Sequence, residues 1–384
     1  MRLARRVQNL PPYLFAELDR KVAARRAAGA DVISLGVGDP DLPTPDHVVE
    51  ALREAARDSS THRYPSYYGM PELREAIAAW YDRRFGVTLD PETEVQPLIG
   101  SKEGLVHLAM AFLDQGDRAL VPDPGYPVYA IGTGMAGGEP VSIPLTAQTR
   151  FLPDLDALRP TGRDRMMWLN YPSNPTAAVA DLELFELAVS YARAHDLLLC
   201  HDAAYAEITF DGFVAPSVLQ VAGAKDVAVE FGSLSKTYNM TGWRIGYAVG
   251  NAQAIGALAT VKTNLDSGVF DAVQRAAIAA LNGPQDHVES MRAVYQKRRD
   301  VVVSALNEAG LEVEPPLGSI YVWVPVPQGK TSEGFATELL EEAAVVVAPG
   351  TGYGPNGEGY IRISLTVADD RIAEAMARIR RRFE

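Results

Sequence analysis

One segment of the chain combines side chains that could bind and activate a phosphorylated carbonyl compound. Residues 233–244 read Ser-Leu-Ser-Lys-Thr-Tyr-Asn-Met-Thr-Gly-Trp-Arg. The amine of Lys236 can form a Schiff base with an aldehyde. The hydroxyls of Ser233 and Ser235 and the guanidinium of Arg244 can hold a phosphate dianion. The segment therefore suits a cofactor that carries both groups, although a solvated turn can have the same composition.

Short apolar runs alternate with helical patterns on both sides of this segment. Such alternation predicts an α/β domain with a mostly parallel sheet flanked by helices. Several runs are apolar at consecutive positions, as expected for parallel strands that are covered on both faces. The predicted strands lie at 95–99, 119–121, 166–169, 197–200, 227–231 and 244–249.

The last third of the chain has a different pattern. A long charged helix is followed by short strands and an arginine-rich terminal helix, which predicts a smaller α+β domain. We expect a large domain at 46–290 and a small domain formed by 1–45 together with 291–384. The predicted elements of this small domain are helices at 14–28, 291–309 and 369–383 and strands at 320–324, 345–348 and 360–365.

Polar or aromatic residues follow five of the predicted strands. Ligands of open α/β sheets bind beyond the carboxyl ends of the strands, so these residues are candidates for one site. Residues 100–104, Gly-Ser-Lys-Glu-Gly, open a helix whose first backbone N–H groups favour a phosphate. Tyr126, Asn174, Asp202 and Lys236 follow the other strands. Taken singly, each has an ordinary explanation as a loop, a core aromatic, a turn former, or a salt bridge or helix N-cap.

Taken together, the strand ends match the needs of pyridoxal 5′-phosphate. This cofactor needs a lysine for its aldehyde and an acid for its pyridine nitrogen. Asp202 follows a strand that is predicted to be buried, where an unpaired carboxylate would be costly, and a protonated ring nitrogen would be a suitable partner. An ionised Asp202 would keep that nitrogen protonated, which makes the ring an electron sink.

The composition limits the other classes of function. The 384 residues are 47% hydrophobic, and 36 basic against 49 acidic residues give a net charge of −13, which argues against binding nucleic acid nonspecifically. A single cysteine, Cys200, excludes an intramolecular disulfide. We see neither a secretory signal nor an apolar run of membrane-spanning length, and we expect a cytoplasmic protein without a membrane partner.

The sequence resembles the fold-type I, aspartate aminotransferase-like enzymes that use pyridoxal phosphate, and within them the class I/II aminotransferases. The resemblance covers essentially the whole chain, and it is closest to the bacterial LL-diaminopimelate aminotransferases. One position departs from the family pattern, because Ala177 follows Asn-Pro-Thr where the family usually has glycine. The stretches that carry the resemblance are 10–17, 38–45, 64, 69–76, 98–104, 121–127, 174–176, 202–205, 233–246 and 362.

The resemblance implies roles at the cofactor ring. Lys236 would form the covalent bond to the aldehyde and later move the proton, and Asp202 would pair with the ring nitrogen. Asn174 and Tyr205 would bond the ring oxygen, and Tyr126 would stack on the ring. Lys236, Asp202 and Tyr205 are therefore the expected catalytic residues, and no metal is expected.

The resemblance also implies a homodimer with shared active sites. Tyr64 would reach the phosphate from the partner subunit, and Asn264 would approach the cofactor across the interface. The residues expected around the phosphate within one subunit are Ser101, Lys102, Ser233, Ser235 and Arg244.

On the substrate side, Arg362 lies in a predicted strand with isoleucines on either side, so its side chain points to the opposite face. Its fork-shaped guanidinium is well matched to an α-carboxylate. The resemblance adds Gly38, where the backbone would allow close approach, Lys102 for a distal charged group, and Tyr13 as a closing side chain. Tyr126 and Asn174 are expected to contact substrate as well.

The expected reaction is a ping-pong transamination of an amino acid with a 2-oxo acid. By resemblance the donor is LL-2,6-diaminopimelate and the acceptor is 2-oxoglutarate, whereas aspartate or alanine remains open as a donor. A β-lyase or decarboxylase on the same scaffold is a second enzyme class, in which the substrate carbanion reacts differently. A non-enzymatic regulator that senses amino acids with this fold is a third class.

Overall fold

The computed structural model describes residues 2–8, 10 and 14–383, with the side chains of 14–19 left aside. Most of this part is organised as strands and helices. The strands are β1 Ile33–Ser34, β2 Val95–Leu98, β3 Arg118–Asp123, β4 Glu139–Pro144, β5 Asp164–Asn170, β6 Leu198–Asp202, β7 Ala228–Ser233, β8 Gly246–Gly250, β9 Tyr321–Pro325, β10 Val345–Val346, β11 Ala348–Pro349 and β12 Tyr360–Ser364.

The helices alternate with the strands through the middle of the chain, as predicted. None of the described helices combines the length and apolar character that crossing a membrane requires. The helices are α1 Arg5–Gln8, α2 Leu14–Ala27, α3 Asp46–Arg57, α4 Pro71–Phe85, α5 Ser101–Phe112, α6 Val128–Ala136, α7 Leu182–Ala194, α8 Leu234–Thr237, α9 Ala252–Leu265, α10 Asp271–Asn282, α11 Asp286–Glu308, α12 Ser332–Glu342 and α13 Asp369–Phe383.

A seven-stranded sheet has the order β2-β8-β7-β6-β5-β3-β4. The pairs from β7 through β4 are parallel, and β8 runs antiparallel to both of its neighbours. Since β2 and β7 are both antiparallel to β8, they run in the same direction. The carboxyl ends of β2, β3, β5, β6 and β7 therefore meet at one edge of the sheet. This confirms the expected α/β fold with a mostly parallel sheet flanked by helices.

Alternate residues of the central strands pack into two separate cores. Met166 and Trp168 of β5 belong to a cluster with α5, α6 and α9, whereas Met167 and Leu169 belong to a cluster with α4, α7 and α10. Apolar side chains therefore cover both faces of the sheet, which explains the consecutive apolar positions in the sequence.

A third core lies around the smaller sheets. β9 and β11 pair antiparallel with β12, and β1 pairs in parallel with β10, so the segment before residue 45 packs with the C-terminal third. α11 and α13 bury one face each in this core. Because these cores are separate, we propose the expected division into two domains, with boundaries after residues 45 and 290.

The structure differs from the sequence predictions at several strands. The two-residue strand β1 was not predicted. β4 was not predicted, because it is mostly exposed and carries a proline at two of its six positions. The predicted strand at 345–348 is two short strands that belong to different sheets. The predicted strand at 244–249 begins two residues later, because Arg244 adopts left-handed backbone angles, φ 55° and ψ 57°, after a short 3-10 turn.

A buried pair of side chains links two central strands of the large sheet. Glu230 of β7 and His201 of β6 are both fully buried, and their side chains meet at 2.7 Å. Burial by itself raises the pKa of Glu230, but the hydrogen bonds that it accepts outweigh burial and lower the pKa. These donors are His201 Nδ1, Ser217 Oγ at 2.7 Å, Tyr81 Oη at 2.8 Å and the Val218 backbone N–H at 2.9 Å.

His201 also reaches the loop that follows β5. Its Nε2 lies 3.0 Å from the carbonyl oxygen of Tyr171. Both ring nitrogens of His201 therefore face oxygen atoms. This links Glu230 to the loop that carries Asn174.

We expect His201→Leu to lower the free energy of unfolding by about 3–5 kcal/mol, because it leaves the buried Glu230 carboxylate without the ring nitrogen that it meets at 2.7 Å. Chemical denaturation of the apoenzyme measures this change. Arg53→Leu is the control, since it removes an equally short but exposed pair with Glu50 at 2.7 Å and should cost less than about 1 kcal/mol. Equal losses in the two variants would contradict the prediction.

Candidate functional site

A cavity of about 1700 Å³ lies at the carboxyl edge of the large sheet and extends to α12. Its wall combines residues from the strand ends with residues from the segment after β1 and from β12. It brings together twelve of the residues singled out in the sequence: Gly38, Ser101, Lys102, Tyr126, Asn174, Asp202, Tyr205, Ser233, Ser235, Lys236, Arg244 and Arg362.

Lys236 lies in the short helix α8, directly after β7. Its Nζ donates a hydrogen bond to the carbonyl oxygen of Gly38 at 3.3 Å. Burial lowers the pKa of Lys236, and the positive charges of Arg362 and Arg244 act in the same direction. A larger fraction of the amine is therefore neutral and nucleophilic near neutral pH than for an exposed lysine.

Asp202 is the last residue of β6, and its side chain is buried. Its Oδ2 accepts a hydrogen bond from Tyr129 Oη at 2.8 Å, and its Oδ1 accepts one from the Ala204 backbone N–H at 3.3 Å. Burial raises the pKa of Asp202, although these donors oppose the shift. None of the ion pairs among the described residues involves Asp202, so the structure does not show the alternative of a structural salt bridge.

Tyr129 is a site residue that the sequence analysis missed. It lies in α6, three positions after Tyr126, and its ring stacks on Trp168 with a centroid distance of 5.3 Å and an interplanar angle of 19°. Burial raises the pKa of Tyr129, so its hydroxyl stays protonated and donates to Asp202. The sequence shows an aromatic pair here, but it does not show that the second hydroxyl reaches β6.

The start of α5 and Arg244 lie close together and carry groups that could bind an anion. Gly100 precedes the helix with φ 74°, and a Cβ at this position would lie 2.2 Å from Nη2 of Arg244. Glycine is therefore needed both for the backbone angle and for the close approach of the guanidinium. Ser233 and Ser235 are buried beside the cavity. Together with the backbone N–H groups of the first helical turn, these groups are suited to a phosphate.

Arg362 is a buried cation, with 2% of its surface exposed. Nη1 donates to Asn174 Oδ1 at 2.7 Å and Nη2 donates to the Gly36 carbonyl oxygen at 2.7 Å. Nε has no hydrogen-bond partner among the described residues, and none of their ion pairs involves this side chain. A buried guanidinium without a carboxylate is costly, and an anionic ligand would supply the missing charge.

The Arg362 guanidinium lies against the rings of two tyrosines. Its Cζ lies 3.9 Å from the ring centroid of Tyr321 and 4.8 Å from that of Tyr353. The Tyr321 hydroxyl also lies 3.1 Å from the hydroxyl of Tyr205. A Cβ on Gly38 would lie 2.0 Å from the Tyr321 hydroxyl. Tyr321 was missed in the sequence, and it gives Gly38 a packing reason in addition to the expected role in substrate approach.

The loop after β5 presents Asn174. The Asn174 backbone N–H donates to Asn170 Oδ1 at 2.8 Å, and the Asn170 amide nitrogen donates to the Asp202 carbonyl oxygen at 2.7 Å. Ala177, which stands where the family usually has glycine, has φ 56°. The loop therefore uses a left-handed residue at this position although a side chain makes that conformation less favourable by roughly 1–2 kcal/mol.

Two of the residues singled out in the sequence do not line the described cavity, and a third lies outside the described residues. Tyr64 is 87% exposed in the segment before α4. Asn264 lies exposed near the end of α9 and donates to the Thr260 carbonyl oxygen at 2.8 Å. Tyr13 lies outside the described residues. The roles expected for these three residues stay predictions.

We expect the Lys236 amine of the apoenzyme to become reactive at lower pH than an ordinary lysine. The sign follows from the lowered pKa, because the neutral form of the amine appears earlier as the pH rises. Labelling with trace acetic anhydride across a pH series, read by peptide mass spectrometry, measures the midpoint. A midpoint at or above about 10.4, the unperturbed lysine value, would contradict the prediction.

Comparisons with known proteins agree on the family of this chain. The family "aminotransferase class I and II" matches residues 30–379. LL-diaminopimelate aminotransferases of Desulforudis audaxviator and Moorella thermoacetica are 57% and 55% identical, over 98% and 99% of this chain and 97% and 98% of theirs. BacF of Bacillus subtilis, in its apo structure, has a TM-score of 0.96 at 42% identity, covering 100% of this chain and 99% of its own.

A more distant structure has the same fold. A mutant aspartate aminotransferase of Thermus thermophilus has a TM-score of 0.93 at 33% identity, covering 99% of this chain and 100% of its own. These similarities and the arrangement of lysine, aspartate and arginine around one cavity lead to the same conclusion. The chain belongs to the class I and II aminotransferases, fold-type I enzymes that use pyridoxal 5′-phosphate.

Proposed function

We propose that this aminotransferase moves an amino group from LL-2,6-diaminopimelate to 2-oxoglutarate in a ping-pong reaction. Relatives at 55–57% identity that carry the name LL-diaminopimelate aminotransferase support the donor. The observation that carries the reaction type is the buried Arg362, which lacks an acidic partner among the described residues and lines the same cavity as Lys236 and Asp202.

The residues around the cavity fit pyridoxal 5′-phosphate. When bound, the cofactor supplies an aldehyde that exchanges amines and a ring that withdraws electrons from the substrate Cα. The buried Asp202 carboxylate would pair with the ring nitrogen, and Tyr126 would cover a face of the ring. Asn174 and Tyr205 would donate to the ring oxygen. The phosphate would lie at the start of α5 with Ser101, Lys102, Ser233, Ser235 and Arg244.

In this proposal Lys236 carries a proton and Arg362 binds the carboxylate of the substrate. Nζ of Lys236, once released, accepts the proton from the substrate Cα and holds it until it is delivered back to carbon. Arg362 binds the α-carboxylate, while Asn174 and the two tyrosine rings keep the guanidinium in one orientation. Burial of these groups limits the water that could compete for the proton.

Fewer residues are candidates for binding the far end of the substrate. Lys102 is exposed and lines the cavity, so its ammonium is our candidate partner for the distal carboxylate of diaminopimelate. Gly38 would allow the substrate to approach the backbone. Tyr13, which lies outside the described residues, completes the proposed set of substrate contacts.

We further propose a homodimer whose subunits share their active sites. The exposed aromatic residues Tyr64, Tyr67 and Tyr68, together with exposed Leu265 and Phe270, offer an apolar surface for a second copy. Tyr64 and Asn264 would act in the partner's site across this surface. Sedimentation equilibrium of the holoenzyme tests the assembly, and a monomer at micromolar concentration would contradict it.

We also propose that the protein is cytoplasmic. Cys200, the single cysteine of the sequence, is buried as a free thiol. A free thiol is common in a reducing compartment.

We expect diaminopimelate to give the highest kcat/KM in a panel that also contains aspartate and alanine. Loss of the bound cofactor's absorption on adding each amino acid alone measures the first half-reaction. Lys236→Ala should slow this half-reaction by about 10⁴-fold, the upper end of what a positioned general base contributes. Arg362→Gln should raise KM for all donors by about 10²-fold, because the α-carboxylate loses its charged partner.

Lys102→Met separates the donor from the reaction type. With pyridoxal 5′-phosphate at saturation, so that weaker phosphate binding does not enter, it should raise KM for diaminopimelate and leave KM for alanine nearly unchanged. A higher kcat/KM for aspartate or alanine would overturn the assigned donor and retain the aminotransferase. Release of pyruvate and ammonia without a 2-oxo acid would instead favour a β-lyase.

A further inference from the structure

A cluster of charges around a buried lysine lies next to the start of α5. The Glu103 carboxylate belongs to the first turn of this helix, and Lys262 and Asp266 belong to the end of α9 and the residue after it. The side chain of Lys262 is 1% exposed. The roles assigned to the cavity residues do not explain why this lysine is buried.

Lys262 binds both carboxylates. Its Nζ lies 2.8 Å from Glu103 Oε1 and 2.8 and 2.9 Å from the two oxygens of Asp266. Glu103, Asp266 and His107 lie close enough together to hold a metal ion. The ammonium of Lys262 instead lies against both carboxylates, so the cation of this cluster is supplied by the chain.

A hydrogen bond holds the Glu103 carboxylate at the helix start. Its Oε1 accepts the backbone N–H of Ile99 at 2.8 Å, so the carboxylate folds back over the residues that precede the helix. This is the N-terminal side of the turn whose N–H groups are proposed to hold the phosphate. An uncompensated carboxylate at this place would repel a phosphate dianion.

The surroundings explain why a cation is needed. Burial raises the pKa of Glu103, and the Lys262 ammonium opposes this shift. Burial by itself raises the pKa of Asp266, but the hydrogen bonds from Lys262 and from the Gly268 backbone N–H, together with the other contacts of this carboxylate, outweigh burial and lower the pKa. The same ammonium therefore stabilises both carboxylates in their charged form.

We propose that Lys262 is a positioning residue for the cofactor phosphate. Its ammonium offsets the charge of Glu103 and holds that carboxylate against α9, so that Ser101 and the first N–H groups of α5 meet the phosphate with less competing negative charge. Lys262 acts through Glu103 and does not touch the cofactor. The inference rests on the proposed placement of the phosphate at the start of α5.

The decisive experiment compares two ligands of the apoenzyme that differ only in the phosphate. Affinities for pyridoxal 5′-phosphate and for pyridoxal are measured by absorption titration of the wild type and of Lys262→Met. The affinity for pyridoxal 5′-phosphate should fall about 10- to 100-fold, the range seen when a group that orients a binding residue is removed. The affinity for pyridoxal should change less than about 3-fold, because it carries no phosphate charge.

A second substitution tests the sign of the charge effect. In Glu103→Gln/Lys262→Met the carboxylate at the helix start is gone, Asp266 keeps its charge at the end of α9, and the glutamine oxygen can still accept the Ile99 N–H. The affinity for pyridoxal 5′-phosphate should return to within about 5-fold of the wild type. If Lys262→Met does not fold, this double variant decides alone, since a wild-type ratio of the two affinities supports the proposal and a reduced ratio overturns it.

Lys225→Met is the matched control. Lys225 also binds a glutamate, Glu94, at 2.9 Å, but it lies at the amino end of β7, away from the cavity. Both ligand affinities should stay at their wild-type values in this variant. Equal losses of both ligands in Lys262→Met, an unchanged affinity for pyridoxal 5′-phosphate, or no recovery in the double variant would each overturn the proposal.

The outcome is separable from that of the proposed reaction. A wrong amino donor would change the half-reaction rates and leave the two ligand affinities of the apoenzyme as they are. A phosphate that binds elsewhere would remove the effect of Lys262→Met and leave the preference for the donor unchanged.

Discussion

The hydrogen bond from Arg362 to Asn174, at 2.7 Å, is the contact on which the site depends. It joins β12, in the three-stranded sheet, to the loop after β5, in the seven-stranded sheet. The second Nη of Arg362 holds the carbonyl oxygen of Gly36, and Gly38 in the same segment accepts from Lys236. One buried guanidinium therefore fixes three parts of the chain around the cavity.

This arrangement has an energetic cost that a ligand can offset. The buried charged residues that line the cavity are Asp202 and Arg362, and neither forms an ion pair with a described residue. Hydrogen bonds from Tyr129 and to Asn174 stabilise the two charges only in part. A ligand set with a protonated ring nitrogen and a carboxylate would neutralise both. The buried charges that stabilise the fold, such as Glu230, have their partners within the chain.

The sequence predicted the parts of the site that follow from local order along the chain. Lys236, Asp202 and Asn174 each follow an apolar run, and parallel strands bring such positions to one edge. Tyr129, Tyr321 and Lys262 could not be predicted in this way, since their roles depend on contacts across 73, 116 and 159 residues. The exposed strand β4 was missed because it lacks the apolar pattern on which strand prediction relies.

The conformation of Ala177 shows how far a departure in sequence changes such a site. The loss of the family's glycine does not by itself abolish the left-handed turn, because the turn is held from both sides. The Ala177 backbone N–H donates to the Ser173 carbonyl oxygen at 3.2 Å, and the Ser173 N–H donates to the Ala178 carbonyl oxygen at 2.9 Å. Asn174 is fixed separately, by Asn170 and Arg362. The position of Asn174 therefore depends on these polar contacts more than on the residue type at 177, and the strain at Ala177 is borne by the loop.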